Sequence, residues 1–177
     1  MYIATMRAAQ IVFSVQTGAT TAAIIPISQS LYHYGQYTKA EELAKIGLDA
    51  AQTAEDEASA LRWLGAMSIQ QGTAQSVKDG NDFFIRALDF EKKYGPMRDP
   101  AVAAFIRSGL QMDWADALAV IDCSEARKHF TETWTILNAA RQTEDLDRIR
   151  RLARSKLATG IGGIRSCTPA SDTRITN

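Results

Sequence analysis

Between residues 38 and 157 the large apolar side chains return at every third or fourth position, and no segment alternates at every second one as a strand would. On a helix that spacing gathers the apolar residues into a single stripe. A chain patterned this way can bury its stripes only by packing helix against helix. Composition agrees: alanine is abundant, β-branched runs are short, and there are only four prolines and eleven glycines. The expected class is all-α. At 177 residues with 46% apolar content, the chain has material for one compact domain or a short solenoid.

The pattern resolves into successive helices joined by short links, which favours antiparallel neighbours. Met6 to Val15 reads as a short helix within an N-terminal segment, residues 1–18. The next helix is capped by Thr20 or Thr21 and reaches Tyr34; Pro26 predicts either a kink or a later start, and Gly35 a left-handed stop. Thr38 to Ala51 carries the clearest signal. Thr38 and Glu41 have capping-box spacing, and Ala40, Leu43, Ala44, Gly47 and Leu48 share one face. Thr53 is expected to cap a helix ending near Gln71-Gly72. Polar residues 73–80 read as a loop, with Asn81 or Asp82 capping a helix that stops at Tyr94-Gly95-Pro96. Asp99-Pro100 marks another start, an acid at the cap and proline in the first helical position, for a helix running to Ile121. Asp122 or Ser124 caps its successor. The last helix starts at Thr143 and ends at Gly160. From residue 161 to 177 the chain is rich in Gly, Ser, Thr and Pro and reads as a disordered tail.

The segment from Leu31 to Gly47 resembles the turn and second helix of a tetratricopeptide repeat. Gly35 fits the inter-helix turn, Tyr37 the aromatic two residues on, and Ala40, Ala44 and Gly47 the small positions that let paired helices approach. Trp63-Leu64-Gly65 resembles the first-helix signature of a second unit, with the tryptophan displaced, and Gly80, Phe84 and Ala87 its second helix. Ala126 and Phe130 mark a third. Ala40, Gly80 and Ala126 are spaced 40 and then 46 residues apart, against about 34 in the standard repeat. The resemblance covers roughly residues 20 to 140. It implies an irregular, tetratricopeptide-like α-solenoid of about three hairpins over residues 19–160. It also implies a protein-binding scaffold or adaptor that takes a peptide or helix from a partner, either alone or within a homo-oligomer or larger assembly.

Charge narrows the partners. Twenty basic residues balance twenty acidic ones, so the overall excess that drives non-specific nucleic-acid binding is missing. One local concentration stands out: Arg148, Arg150, Arg151, Arg154 and Lys156, opposite an apolar stripe. It reads either as the solvated face of a terminal helix or as a docking face. In the second case the chain is a structural subunit that contacts nucleic acid or an anionic membrane through that helix. Tyr32, Tyr34 and Tyr37 form the other candidate partner surface, since tyrosine is enriched at binding hot spots. Trp63, Trp114 and Trp134 sit at helical spacing and read as core.

Signals for chemistry are thin. His33 and His129 are the two histidines, and no HExxH, Cys/His cluster or Glu-x-x-His pair surrounds either. There is no GxSxG elbow and no Gly-Lys-Ser or Gly-Lys-Thr phosphate loop. Gly160-Ile161-Gly162-Gly163 follows a helix, whereas a phosphate cradle follows a strand. The expectation is therefore a non-enzyme without cofactor or metal. Cys123 and Cys167 lie far apart and read as free thiols of a reducing compartment. No apolar run approaches the roughly 20 residues of a membrane span. The short apolar stretch after Arg7 reads as a first helix in preference to an export signal. A cytoplasmic location is expected.

Overall fold

The structure is a computed structural model that describes residues 21–97, 99–140, 142 and 144–163, the side chains of 144 and 159–163 excepted. The expected helix from Met6 to Val15 lies outside these residues. Every regular element among them is a helix: α1 (Thr21–His33), α2 (Tyr37–Asp49), α3 (Ala54–Gln70), α4 (Ala74–Leu88), α5 (Phe90–Tyr94), α6 (Pro100–Leu118), α7 (Cys123–Ala139) and α8 (Glu144–Gly163). The chain divides into two compact units, Met1–Pro96 and Met97–Asn177.

Several starts follow their caps. Thr53 Oγ1 accepts from the Asp56 amide at 3.1 Å. Asp99 accepts from Ala101 at 2.9 Å with Pro100 in the first turn. Asp122 accepts from both Ser124 and Glu125 at 3.0 Å. Each satisfies an amide that the helix leaves open.

Other starts differ from expectation. Residues 73–80 are not a loop. Thr73 opens α4 with a capping box in which Ser76 replaces the usual glutamate, its hydroxyl accepting from the Thr73 amide at 3.0 Å. The polar stretch is the helix's first two turns, and Asn81 and Asp82 are interior residues. The Thr38–Glu41 capping box does not form either. Helix α2 begins at Tyr37 after Gln36, with no side-chain cap, which places Thr38 inside the helix. The Glu41 carboxylate turns instead to Lys45 at 2.7 Å. Helix α1 continues through Pro26. Helix α6 stops at Leu118, and Val120 beyond it is 83% exposed. Helix α8 runs past the expected stop at Gly160 to Gly163.

In the first unit, α1 and α2 are antiparallel. Thr21 donates to the Gly47 carbonyl at 2.7 Å, and Ser28 donates to the Ala40 carbonyl at 2.6 Å. Helix α3 lies against both, and Trp63 Nε1 donates to the same Ser28 hydroxyl at 2.8 Å. Leu31, Leu43, Leu64 and Met67 fill the space between them. Burying each such side chain contributes about 1.5–3 kcal/mol. Helix α4 runs antiparallel to α3, with Gly80 against Gly65 and Ile69. The short α5 is tied back to α3 by Lys93 and Glu57 at 2.7 Å.

In the second unit, α6 and α7 form an antiparallel pair. Thr133 donates to the Ser108 carbonyl at 3.4 Å, and His129 meets Gln111 at 2.6 Å. Helix α8 packs on both, burying Leu146, Ile149 and Ala153 with Phe130 and Leu137. Cys123, at the first position of α7, is disulfide-bonded, which corrects the expectation of a free thiol there. Cys167 lies outside the described residues.

Candidate functional site

The turn between α1 and α2 sets out the tyrosines. Gly35 adopts φ +74°, and the Gln36 and Gly35 amides donate back to Leu31 and Tyr32 at 3.0 and 2.9 Å. This double bond pattern closes a helix with glycine just past its end. Tyr32 is thereby turned inward. Its ring meets Tyr37 edge-on at 5.0 Å and Trp63 at 5.4 Å, and its hydroxyl donates to Gln70 Oε1 at 2.5 Å. Burial, with Tyr37 adding to it, raises the Tyr32 phenol above its ordinary value. Tyr34 and Tyr37 stay outside, 68% and 58% exposed. Of the three expected contact residues, Tyr32 is an anchor and the other two form the surface.

Tyr37, Glu41 and Lys45 follow at four-residue intervals, so they form one row along α2. The last two line a cleft of about 280 Å³, together with Ser68 and Gln71 from the end of α3 and Ser76, Asp79, Asp82, Phe83 and Arg86 from α4. The exposed aromatic end of the hairpin thus leads into a charged hollow. This hollow was not visible in the sequence, because residues 73–80 read as a loop and α4 supplies one whole wall. A Thr-x-x-Ser cap was the signal that would have revealed it.

The basic residues of α8 are mostly engaged within the second unit. Arg150 donates to the Leu137 carbonyl, one of the free carbonyls at the end of α7, and stands 3.5 Å from Asp147. Arg154 lies over the Trp134 ring at 4.4 Å, and Lys156 pairs with Asp116. Arg148 and Arg151 are exposed. The stripe is therefore two outward cations and three that hold the helix in place.

His129 is packed between α7 and α6. Its ring stacks on Trp114 at 3.9 Å, with Nε2 3.9 Å from Glu125. Burial pushes its basicity below the ordinary value, Glu125 opposes this, and Lys128 adds to it. This is a structural histidine in contact with a tryptophan. His33 is exposed at the end of α1, beside Tyr32. Among the described residues no group of three or more His, Cys, Asp or Glu is placed to hold a metal. No helix there is long and apolar enough to cross a membrane.

Comparisons with protein-family models, curated proteins and solved structures returned no match for this chain.

Proposed function

We propose that this chain is a non-enzymatic protein-interaction module built from helical hairpins in the tetratricopeptide-like manner. Its contact surface is then the row Tyr37, Glu41 and Lys45 with the adjoining cleft. The observation that carries the reading is the placement of exposed Tyr37 one turn before Glu41 and Lys45, which line a mixed-charge hollow, on one row of α2, with exposed Tyr34 in the turn before it. Aromatic anchors next to oriented charges suit a peptide segment, since the aromatic supplies buried area and the charges fix register.

The hairpin arrangement lends support. The ties from Ser28 to Trp63 and from Tyr32 to Gln70 make α1 and α3 run in the same direction. Each hairpin is closed by small residues: Ala40, Ala44 and Gly47 in the first, Gly65 and Gly80 in the second. The sequence suggests a third hairpin around Ala126 and Phe130, where α6 and α7 form an antiparallel pair of their own.

The test is affinity capture by the full chain beside a Tyr37→Ala, Lys45→Glu variant. Both substituted positions are exposed, so circular dichroism should be unchanged. The expected result is a protein partner held by the parent and lost by the variant. A partner retained equally by both would overturn the assignment of the surface, and the absence of any partner would overturn the module.

A further inference from the structure

Helix α8 outruns its own packing. Leu146, Ile149 and Ala153 are buried in the core of the second unit, and Leu157 is the last described side chain to lie on that core. The helix nevertheless continues to Gly163. Its closing residues include Gly160, Gly162 and Gly163, and glycine is the poorest helix former after proline. An end of this composition keeps its shape when something just beyond it is fixed.

The register of α7 against α8 says where that end lies. Arg150 reaches the Leu137 carbonyl and Arg154 the Trp134 ring, so the two helices run antiparallel. Cys123 stands fourteen residues before Leu137, and the position fourteen after Arg150 is 164, immediately past Gly163. To within about one turn, α8 therefore ends level with the start of α7, where Cys123 is half-buried. Packed helices lie about 8–10 Å apart. Cys123 is bonded to another cysteine, and the chain has one other, Cys167. Cys167 follows Gly163 by four positions, an extended reach of up to about 14 Å. The two α-carbons of a disulfide stand about 4.4–6.8 Å apart, so chain of this length spans the gap.

We infer that Cys123 pairs with Cys167 of the same chain, and that this bridge is a redox-controlled brace on the end of α8. The loop it closes, from 123 to 167, contains the whole of α7 and α8. Closing a loop of that length restricts the unfolded chain and so favours the folded one. Formation takes two protons and two electrons from the two thiols. A small disulfide such as oxidised glutathione accepts them and leaves as two thiols. An excess of reduced thiol runs the exchange backwards. The braced form belongs to oxidising surroundings and the open form to reducing ones. Leu146, Ile149 and Ala153 precede the glycines and stay packed in both.

The experiment compares the full chain, equilibrated with oxidised or with reduced glutathione, with its Cys167→Ser and Cys123→Ser variants. The oxidised parent should run as a single chain on a denaturing gel without reductant. Its tryptic digest should contain residues 108–127 joined to residues 166–174. It should unfold about 10 °C or more above the reduced parent. Each serine variant should match the reduced parent and cease to respond to glutathione. Should a variant fail to fold, the parent's own response decides. Hydrogen exchange should quicken on reduction at residues 158–163 and hold steady at residues 146–153. Covalent dimers joined through Cys123, a free Cys167 in the oxidised protein, or equal unfolding temperatures in the two states would each overturn the inference. Faster exchange spread evenly along α7 and α8 would overturn the local brace.

Discussion

Gly80 lies so close to Gly65 that a methyl group on Gly80 would come within 2.7 Å of the Gly65 carbonyl oxygen. The same methyl would stand 2.6 Å from an Ile69 side-chain carbon and 3.0 Å from the Ile69 amide nitrogen. Two of these three neighbours are backbone and cannot rotate away. Gly80→Ala should therefore destabilise the first unit by about 1–3 kcal/mol, the usual cost of overpacking, despite alanine's better helix propensity. Urea denaturation followed by circular dichroism measures it. A more stable variant would show that α3 and α4 are not in contact at this crossing.

Gly35 is the counter-case, since nothing lies within 4 Å of a methyl there but the backbone has φ +74°. Gly35→Ala should cost about 1–2 kcal/mol through the left-handed conformation alone. Gly35→Asn should cost less, because asparagine tolerates that region. Equal losses for the two substitutions would point to steric crowding and away from backbone strain.

Much of this was legible in the chain. The positions of α2, α3, α6 and α7 follow from stripes and caps, because Thr53, Asp99 and Asp122 act on their own neighbourhoods. The errors came where a local signal competes with another. Thr38 and Glu41 have the spacing of a cap, but Gly35 closes α1 so early that α2 has already begun at Tyr37. Thr73 to Gly80 looks polar because α4 buries only Ser76, Gly80, Phe84 and Ala87, and the two of these that fall in that stretch, Ser76 and Gly80, carry no large apolar side chain. The cleft is non-local, assembled from three helices, and no spacing along one segment encodes it. The basic stripe was legible as charge, whereas its inward ties to Leu137, Trp134 and Asp116 depend on tertiary packing.

Those ties separate the arginines by role. Arg150→Ala should destabilise the second unit by about 1–3 kcal/mol, because the Leu137 carbonyl loses its donor. Arg148→Ala and Arg151→Ala, at exposed positions, should stay within about 0.5 kcal/mol of the parent. Thermal unfolding of the three variants decides it. Equal effects would return all five cations to a single solvated face.

Acid should weaken the second unit through His129. Its folded-state basicity lies below the ordinary 6.5, with burial the largest cause, so the unfolded chain takes up the proton first. Stability is then fully present above the unfolded value and falls as pH drops through it, levelling off once the folded form is protonated as well. The groups facing the ring are Glu125 and Lys128 on its own helix, and Gln111 and Trp114 on α6. His129→Gln should flatten this part of the pH profile in denaturant titrations. An unchanged profile would assign the acid sensitivity to the carboxylates.

The disulfide at Cys123 gives a chemical prediction. Alkylation of the unreduced protein should leave Cys123 unmodified, and treatment with reductant should expose it to the reagent. Peptide mass spectrometry reads the outcome. Labelling without reductant would restore the free thiol that the sequence suggested.

The hydrogen bond from Trp63 to Ser28 has an optical consequence. Trp63 is the sole tryptophan between residues 1 and 96, while Trp114 and Trp134 belong to the second unit. Its indole N–H is bound to a hydroxyl that itself grips the Ala40 carbonyl, so one chromophore senses α1, α2 and α3 together. With the other two indoles replaced by phenylalanine, emission wavelength becomes a local gauge of whether the first unit is assembled. Unfolding of that unit, or closure of a ligand on it, is then visible as colour without any label attached to the chain.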